Sequence, residues 1–524
     1  LDSETGRIRQ LCFDQDHNWS PVVMHDGRVM YQRWEYSDLP HSNSRLLFSM
    51  NPDGTAQMEL YGSNSYWPNS IFYARPVPGH PTMFAGIVTG HHGARRMGEL
   101  VLFDPAKGRH EADGVVQRIP GYGEKVEPIF KDRLVDDSWP KFLHPWPLSD
   151  KYFLVASQPT PKSRWGIYLV DVFDNMVLLR EDPGYALFQP IPFRKRPTPP
   201  VIPSKIDLDQ RTALVYLSDL YIGTGLAGVP KGTIKSLRLF TYTYGYRGMG
   251  GLLGTIGMDG PWDIKRVLGT VPVSPDGSAY FRVPANTPIA VQPLDERGMA
   301  VQQMRSWFTA MPGEFLSCVG CHEKQNMAPP AQPLLAMRKK PDTVTPWYGQ
   351  ERGFSFAREV QPVLDRYCVD CHENSRNDKM SPPYLRGDRM ITDWNSQIAG
   401  HGNPAYAGKF SESYAQLHRF VRRPGIESDY HPLNAMEFHA STTELVQMLD
   451  KGHYGVTLNQ ESWDRLITWI DLNAPYHGTW TEIMGEKQVG PVASRARKLR
   501  NTYANTDVDF DFIPDQPVVI EDDA

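Results

Sequence analysis

The chain lacks any run of 18 or more apolar residues, so no segment is expected to cross a bilayer as a helix. It opens LDSETGRIRQL, without the apolar stretch of a secretory leader. Charge of one sign is scarce. The 55 Lys and Arg stand against 60 Asp and Glu, and the net charge of -5 points neither to nucleic acid nor to an anionic membrane surface. No phosphate-loop or dinucleotide spacing occurs, even in the glycine-rich stretch YRGMGGLLGTIGMDGPWD (246–263), so nucleotide binding is set aside. No carbohydrate-binding constellation stands out either. Cysteine is rare, five in 524 residues, and four of the five fall in two short words that leave Cys12 without a disulfide partner in the chain.

Those two words are Cys318-Val-Gly-Cys321-His322 and Cys368-Val-Asp-Cys371-His372. CxxCH is the attachment site of c-type haem: two thiols add to the vinyl groups and the adjacent His ligates the iron. Paired redox dithiols, or one zinc site of four cysteines, are the alternatives. Neither accounts for a His closing both words. The reading is a dihaem c-type cytochrome, exported to the periplasm or beyond, because such attachment takes place outside the cytoplasm.

Length leaves room for two to four domains. Many Pro (45) and Gly (43) favour turns and short strands. In the first 190 residues SRLLFSMNPDGTAQ, GELVLFDPAKGRH and GIYLVDVFDNMVLL each pair an apolar strand with an Asp/Gly/Asn turn, and HDGRVMYQRWE reads as a further strand. Repeated hairpins of this kind suggest a β-propeller, with a stack of sandwiches as the alternative. RKRPTPPVIPSK (194–205) reads as an exposed connection, and strands resume in ALVYLSDLYIG, IKSLRLFTYTYGY and SPDGSAYFRVP. The glycine-rich loop between them is expected to face a ligand. Beyond residue 305 helical spacing takes over: Phe356, Val360, Leu364 and Tyr367 share a face leading into the second CxxCH, with Pro362 starting or kinking the helix. Further helices are expected at Thr443–Asp450 and Trp463–Leu472, and DVDFDFIPDQPVVIEDDA at the end as a solvated acidic tail. The expected fold is mainly β with an α-helical C-terminal part. Its divisions are a propeller-like β region at 1–304, a first haem-attachment segment at 305–350, a cytochrome c-like domain at 351–485 and an extension at 486–524.

The far side of each iron separates electron transfer from catalysis. At the second haem His372 is proximal and His453, in LDKGHYGV, is the leading distal candidate, with Met380, Met436, His431 and His439 as competitors. Above the first haem, with His322 as its motif ligand, the candidates for substrate chemistry are His91, His92 and Arg96 in TGHHGARRMGE, His144 in FLHPWPL, and Asp16 with His17.

The phrases QDHNWSP, YGSNSYWPNSIFYARPVPGHP, GHHGARRMGELVLFDPAKGRHEADG, FRVPANTPIAVQPLDERG, SWFTAMPGEFLSCVGCHE, FAREVQPVLDRYCVDCH and WDRLITWIDLNAPYHGTW resemble the α-subunit family of hydrazine synthase, from about residue 10 to 485. That resemblance implies a β-propeller followed by two c-type haems. One would be catalytic, towards nitric oxide and ammonia, and one would relay electrons between His372 and His453. It also implies other subunits or a redox partner. In the family a Tyr four residues after the first CxxCH ligates the catalytic iron while the motif His turns to zinc. Here that position is Asn326, Tyr348 lies further on, and Cys12 is a candidate zinc thiolate. A pure electron carrier using the propeller as a docking platform is the alternative. A third is a propeller that binds a polymer or partner, with accessory haems.

Overall fold

Short apolar runs closed by Asp, Asn and Gly turns fold as strands as far as Cys318, and every α-helix among the described residues begins at or after Gln361. The computed structural model describes residues 5–15, 17–35, 38, 45–249, 254–258, 260–324, 327–329, 334–373, 382–391, 410–425, 428–515 and 518–520. Asp16, Asn326 and Met380 lie outside them.

Three four-stranded antiparallel meanders come first. They are β1 (Asn18–Val23), β2 (Val29–Trp34), β3 (Arg45–Met50) and β4 (Met58–Tyr61); β5 (Ser70–Pro76), β6 (Phe84–Thr89), β7 (Glu99–Phe103) and β8 (Val115–Ile119); and β9 (Lys141–Pro147), β10 (Tyr152–Gln158), β11 (Gly166–Asp171) and β12 (Met176–Arg180). The three hairpin phrases of the sequence carry the third strands of these meanders, and only GIYLVDVFDNMVLL reaches into the fourth. One parallel bridge, Arg45 to Ser70, joins the first two into a single sheet, and the third is a sheet of its own. No pairing among the described strands closes a ring.

The first strands pack on one another, β1 against β5 and β5 against β9. Each carries one residue in left-handed backbone: Ser20 (φ 52°), Tyr73 (φ 53°) and His144 (φ 50°). The ladder slips between Trp19 and Val22 and between Phe72 and Arg75, the mark of a bulge that bends a strand and sharpens its twist. Phe72, Ile87, Leu100, Phe142, Phe153 and Val155 are all buried in the core shared by the second and third meanders.

The connection at 194–205 carries no regular structure and is largely exposed. Two small sheets follow, β16-β13-β19 and β15-β14-β17-β18. Their strands are β13 (Thr212–Leu217), β14 (Ser236–Thr243), β15 (Ile264–Pro272), β16 (Ala279–Pro284), β17 (Pro288–Leu294), β18 (Phe308–Thr309) and β19 (Phe315–Cys318). They enclose one core, with Val215, Leu239, Phe281 and Ile289 all buried. β19 runs parallel to β13, Cys318 opposite Leu217, so this unit runs across the boundary expected at 304 and ends in the first CxxCH.

In the helical part a π-helical turn, Phe356–Val360, leads into α1 (Gln361–Tyr367), and Pro362 sits in the first turn of α1, at the junction of the two. Phe356, Val360 and Leu364 are buried as their spacing requires. α2 (Val369–His372), α3 (Glu412–His418), α4 (Glu444–Asp450) and α5 (Gln460–Asp471) follow, then α6 (Trp480–Met484) and α7 (Glu486–Ala504). No helix among the described residues is long and apolar enough to cross a membrane.

Two expectations need correction. The described part of the glycine-rich loop packs on the helical part: Ile256 is fully buried and its carbonyl accepts from the Tyr476 and His477 N–H groups. The C-terminal segment is a strap rather than a solvated tail. Asp511 accepts hydrogen bonds from the Trp480 and Thr481 N–H groups, Phe510 lies between the Arg266 and Arg500 guanidiniums, and Arg366 donates to the Ile520 carbonyl. Apolar residues between its acids, and an unmet helix N-terminus to cap, hold it down.

Candidate functional site: two CxxCH segments

The first word leaves β19 as a tight turn clasped by the loop at 218–225. Ser218 and Asp219 N–H groups donate to the Cys318 and Val319 carbonyls, Cys321 N–H donates to Ile222, and Gly225 N–H donates to Cys321. Glycine is required where the two backbones touch. A Cβ on Gly225 would stand 2.5 Å from Cys321 Sγ, and one on Gly320 would stand 2.1 Å from the Ile222 carbonyl oxygen. Cys318 and Cys321 form no disulfide, and burial pushes both thiols up to about 12. They are neutral thiols on the wall of a cavity of about 360 Å³, whose other walls include Leu46, Phe48, Leu220, Phe281 and Phe308. Neutral thiols beside an apolar hollow and a histidine suit thioether attachment of a flat, greasy macrocycle. A structural zinc site would need two further ligands beside these two thiols, and the cavity wall around them is largely apolar.

His322 adopts left-handed backbone (φ 57°) and its Nε2 meets the Asn64 amide. Burial lowers its pKa. The Asn64 carbonyl in turn meets His110 Nε2 at 3.1 Å. His110, Glu111 and His431 each offer a ligand atom within 4.8 Å of the others, the one such group of His, Cys and acidic side chains among the described residues. Glu111 is held in left-handed backbone (φ 46°), and its carboxylate accepts from the Tyr66 and Trp67 N–H groups, each at 3.0 Å. His431 Nε2 lies 3.1 Å from Glu111 and its Nδ1 lies 3.1 Å from Asp429. Two imidazoles and a carboxylate with an outer carboxylate behind one ring is a donor set for a divalent ion such as zinc.

Cys12 has no part in that group. It sits with Leu11 and Val29 against Tyr31 and Phe48, and burial pushes its thiol up to about 12. Tyr348 donates to Asp464 of α5 instead of approaching the first word. His91, His92 and Arg96 gather in one open cavity with Trp19 and Trp34, against which His17 stacks, and His144 lines another. Neither of those cavities is lined by Cys318, Cys321 or His322. The residues that do face the first word include Asn64, within the phrase YGSNSYWPNSIFYARPVPGHP but not singled out there, and Tyr430, in a loop outside the quoted phrases. Only the paired His-Glu of GRHEADG signalled the metal-ligand group in the sequence.

The second word begins at the end of α1 and occupies α2. His372 Nδ1 meets the Pro383 carbonyl at 2.9 Å, which fixes the tautomer and frees Nε2 for a metal. His453 follows α4 in the turn opened by Gly452 (φ 82°). The two rings lie with centroids 6.0 Å apart and planes 30° from parallel. A metal–imidazole bond is about 2.0–2.1 Å and a ring nitrogen lies about 1.1 Å from its centroid, so one ion between facing rings sets them roughly 6.3 Å apart. The observed spacing fits one iron. The other described competitors are engaged elsewhere: His439 with Asp295 and Ser441, His431 with Glu111, while Met436 is exposed.

Residues 232–323 match the family model described as the hydrazine synthase alpha subunit middle domain. Among solved structures the fold is similar to that of Kuenenia stuttgartiensis hydrazine synthase, with a TM-score of 0.66 at 18% identity over 89% of this chain and 70% of that one. No curated protein sequence matches the chain. Through that middle domain, which carries the first CxxCH, the chain is a relative of the hydrazine synthase alpha subunit.

Proposed function

We propose that the chain is an exported dihaem c-type redox protein whose first haem meets a small nitrogen substrate and whose second relays electrons. The observation that carries this reading is the contrast between the two sites. His372 and His453 lie at the spacing of a two-histidine iron, whereas His322 opens on a cavity of about 360 Å³. When bound, each haem supplies one-electron chemistry at its iron.

Cys318 and Cys321 would anchor the first haem with His322 beside it, and Cys368 and Cys371 the second, held between His372 and His453. The Pro383 carbonyl keeps His372 oriented. The imidazoles adjoining His322 are His110 and His431, reached through Asn64, whereas His91, His92, Arg96 and His144 line other cavities. Zinc would sit on His110, Glu111 and His431. Relation to hydrazine synthase supports nitric oxide and ammonia as the substrate class, and supports work alongside other subunits or a redox partner. The three meanders, with first strands packed together, are the blades of a propeller, and after the middle unit come the expected cytochrome c-like domain at 351–485 and extension at 486–524.

Electron paramagnetic resonance of the haem-loaded protein, with and without nitric oxide, tests the assignment. A high-spin signal that nitric oxide converts to a nitrosyl species is expected, beside a low-spin signal that it leaves alone. Two low-spin signals indifferent to nitric oxide in both redox states would overturn it and leave an electron carrier docking through its propeller.

A further inference from the structure

We propose that the hub where the first strands of the meanders meet is a binding site for a small oxyanion. A cavity of about 260 Å³ opens there, walled by β1, β5, β9 and the segment Gln189–Ile191. Four left-handed residues line it together: Ser20, Tyr73, His144 and Gln189 (φ 54°). Such backbone is costly outside glycine and gathers where a ligand is gripped. The repetition brings one such residue from each meander, and one from the segment after the third, to a single place.

The side chains displayed at the hub are cationic and polar. Arg75 lies over the Trp146 ring, its guanidinium 4.3 Å from the centroid, and Arg196 approaches the same indole at 5.0 Å. Among the described residues neither guanidinium has an ion-pair partner, and the one charge felt by half-buried Arg75 is that of Arg196, which with burial lowers its pKa. Beside them His144 packs its ring on Tyr73 at 4.3 Å, and its Nδ1 is buried with no hydrogen-bond partner. Burial and Arg75 lower the pKa of His144, so the ring is neutral near pH 7, and as the Nδ1–H tautomer it offers a donor. Arg75 without an ion-pair partner and an orphaned imidazole nitrogen line one small hollow, with the charge of Arg196 beside them, and a negatively charged acceptor answers all three. Carboxylate, nitrite, nitrate and phosphate share the feature that answers it: two oxygens spaced for the guanidinium fork. The cavity admits only the smaller members of that class. The site stands apart from both CxxCH segments and does not depend on haem.

Isothermal titration of the whole chain with formate and with phosphate, at constant ionic strength, tests the site, with the haem Soret band recorded alongside. The expected result is saturable binding of one anion per chain for at least one probe, with the Soret band unmoved. Affinity should fall by about tenfold or more in Arg75→Met and by about threefold or more in Arg196→Met, because the first removes a charge-assisted partner and the second a neighbouring positive charge. Arg196 is exposed on the linker, so its variant keeps the test open if Arg75→Met does not fold. Absence of saturable binding by both probes overturns the proposal. So does binding that both variants leave unchanged, or binding that shifts the Soret band, which places the anion on iron.

Discussion

His453 and Gly225 are the single residues on which the two haem assignments turn. Replacing His453 by Ala removes one of the two imidazoles and leaves Cys368, Cys371 and His372 in place. The low-spin signal of that centre should give way to a high-spin one, while mass spectrometry of the 368–372 peptide still shows haem attached. Gly225→Val sets carbon beside Cys321 Sγ, where even a Cβ stands at 2.5 Å. The fraction of chains with haem on the 318–322 peptide should drop at least severalfold, with the second peptide unaffected. His477 sets a pH response. Burial alone holds its imidazole down at about 3, so in the folded chain it stays neutral where the unfolded chain takes a proton. The unfolded state therefore binds more protons between about pH 3 and 6.5, and stability contributed by neutral His477 is lost as pH falls through that window. Urea midpoints measured from pH 7 to 4 should decline, and His477→Gln should flatten the decline. At this scale the approach of His453 to His372 was legible, because the second CxxCH is a local word and the list of further imidazoles is short. His110, Glu111 and Asn64 were not. Their chemistry exists only once loops some 50 residues apart meet His431, and beyond the adjacent His110 and Glu111 the sequence carries no sign of that meeting.

Helices and strands are held by a few buried charges whose partners lie far off in sequence. Glu359, fully buried just before α1, bonds Arg352 through both oxygens at 2.6 and 2.9 Å and also pairs with Arg465 of α5. Removing the acid leaves two buried guanidiniums facing one another, so Glu359→Ala should lower unfolding free energy by about 3–5 kcal/mol in urea titration, and Glu359→Gln by less. Asp511 caps α6 from outside, alongside the capping box of Thr479 and Glu482. Asp511→Ala should cost about 0.5–2 kcal/mol, read as a fall in thermal midpoint. The apolar faces of α1, α4 and α5 were legible because helical periodicity survives in any context. α7 was not, since its 19 residues bury only Val489 and Ala504 and carry Pro491, a residue that argues against a helix. The paired strands of each meander were visible where an Asp/Gly turn joins them closely. β7 and β8 are separated by a longer connection, and the phrase GELVLFDPAKGRH contains only the first of the two.

Across the whole molecule the exposed connection at 194–205 is an easy place to cut and a poor place to separate. Contacts cross from one side of it to the other without using it. Trp307 Nε1 donates to Asp14 at 2.8 Å, the Ala56 N–H donates to Glu314 at 2.7 Å, and Tyr66 donates to Asp429 at 3.0 Å. Limited proteolysis there should yield two fragments that still elute together from a sizing column and part only in denaturant. The same long-range stitching is why the expected boundary at 304 misses the middle unit: its last strand returns to pair beside its first, and only the fold records that. It also sets an order of assembly. The walls around Cys318 and Cys321 come from residues near 46–64, 215–237, 302–323 and 430–433, and they meet only when most of the chain has been made. Cys371, by contrast, stays at the surface. On the proposed haem assignment the second word offers one thiol at the surface of the finished chain, whereas both thiols of the first lie half-buried among walls that meet late. Maturation thus becomes a race between attachment and folding at one word and an unhurried step at the other, so apo-chain refolded before haem is offered should take it up at Cys368 and Cys371 alone.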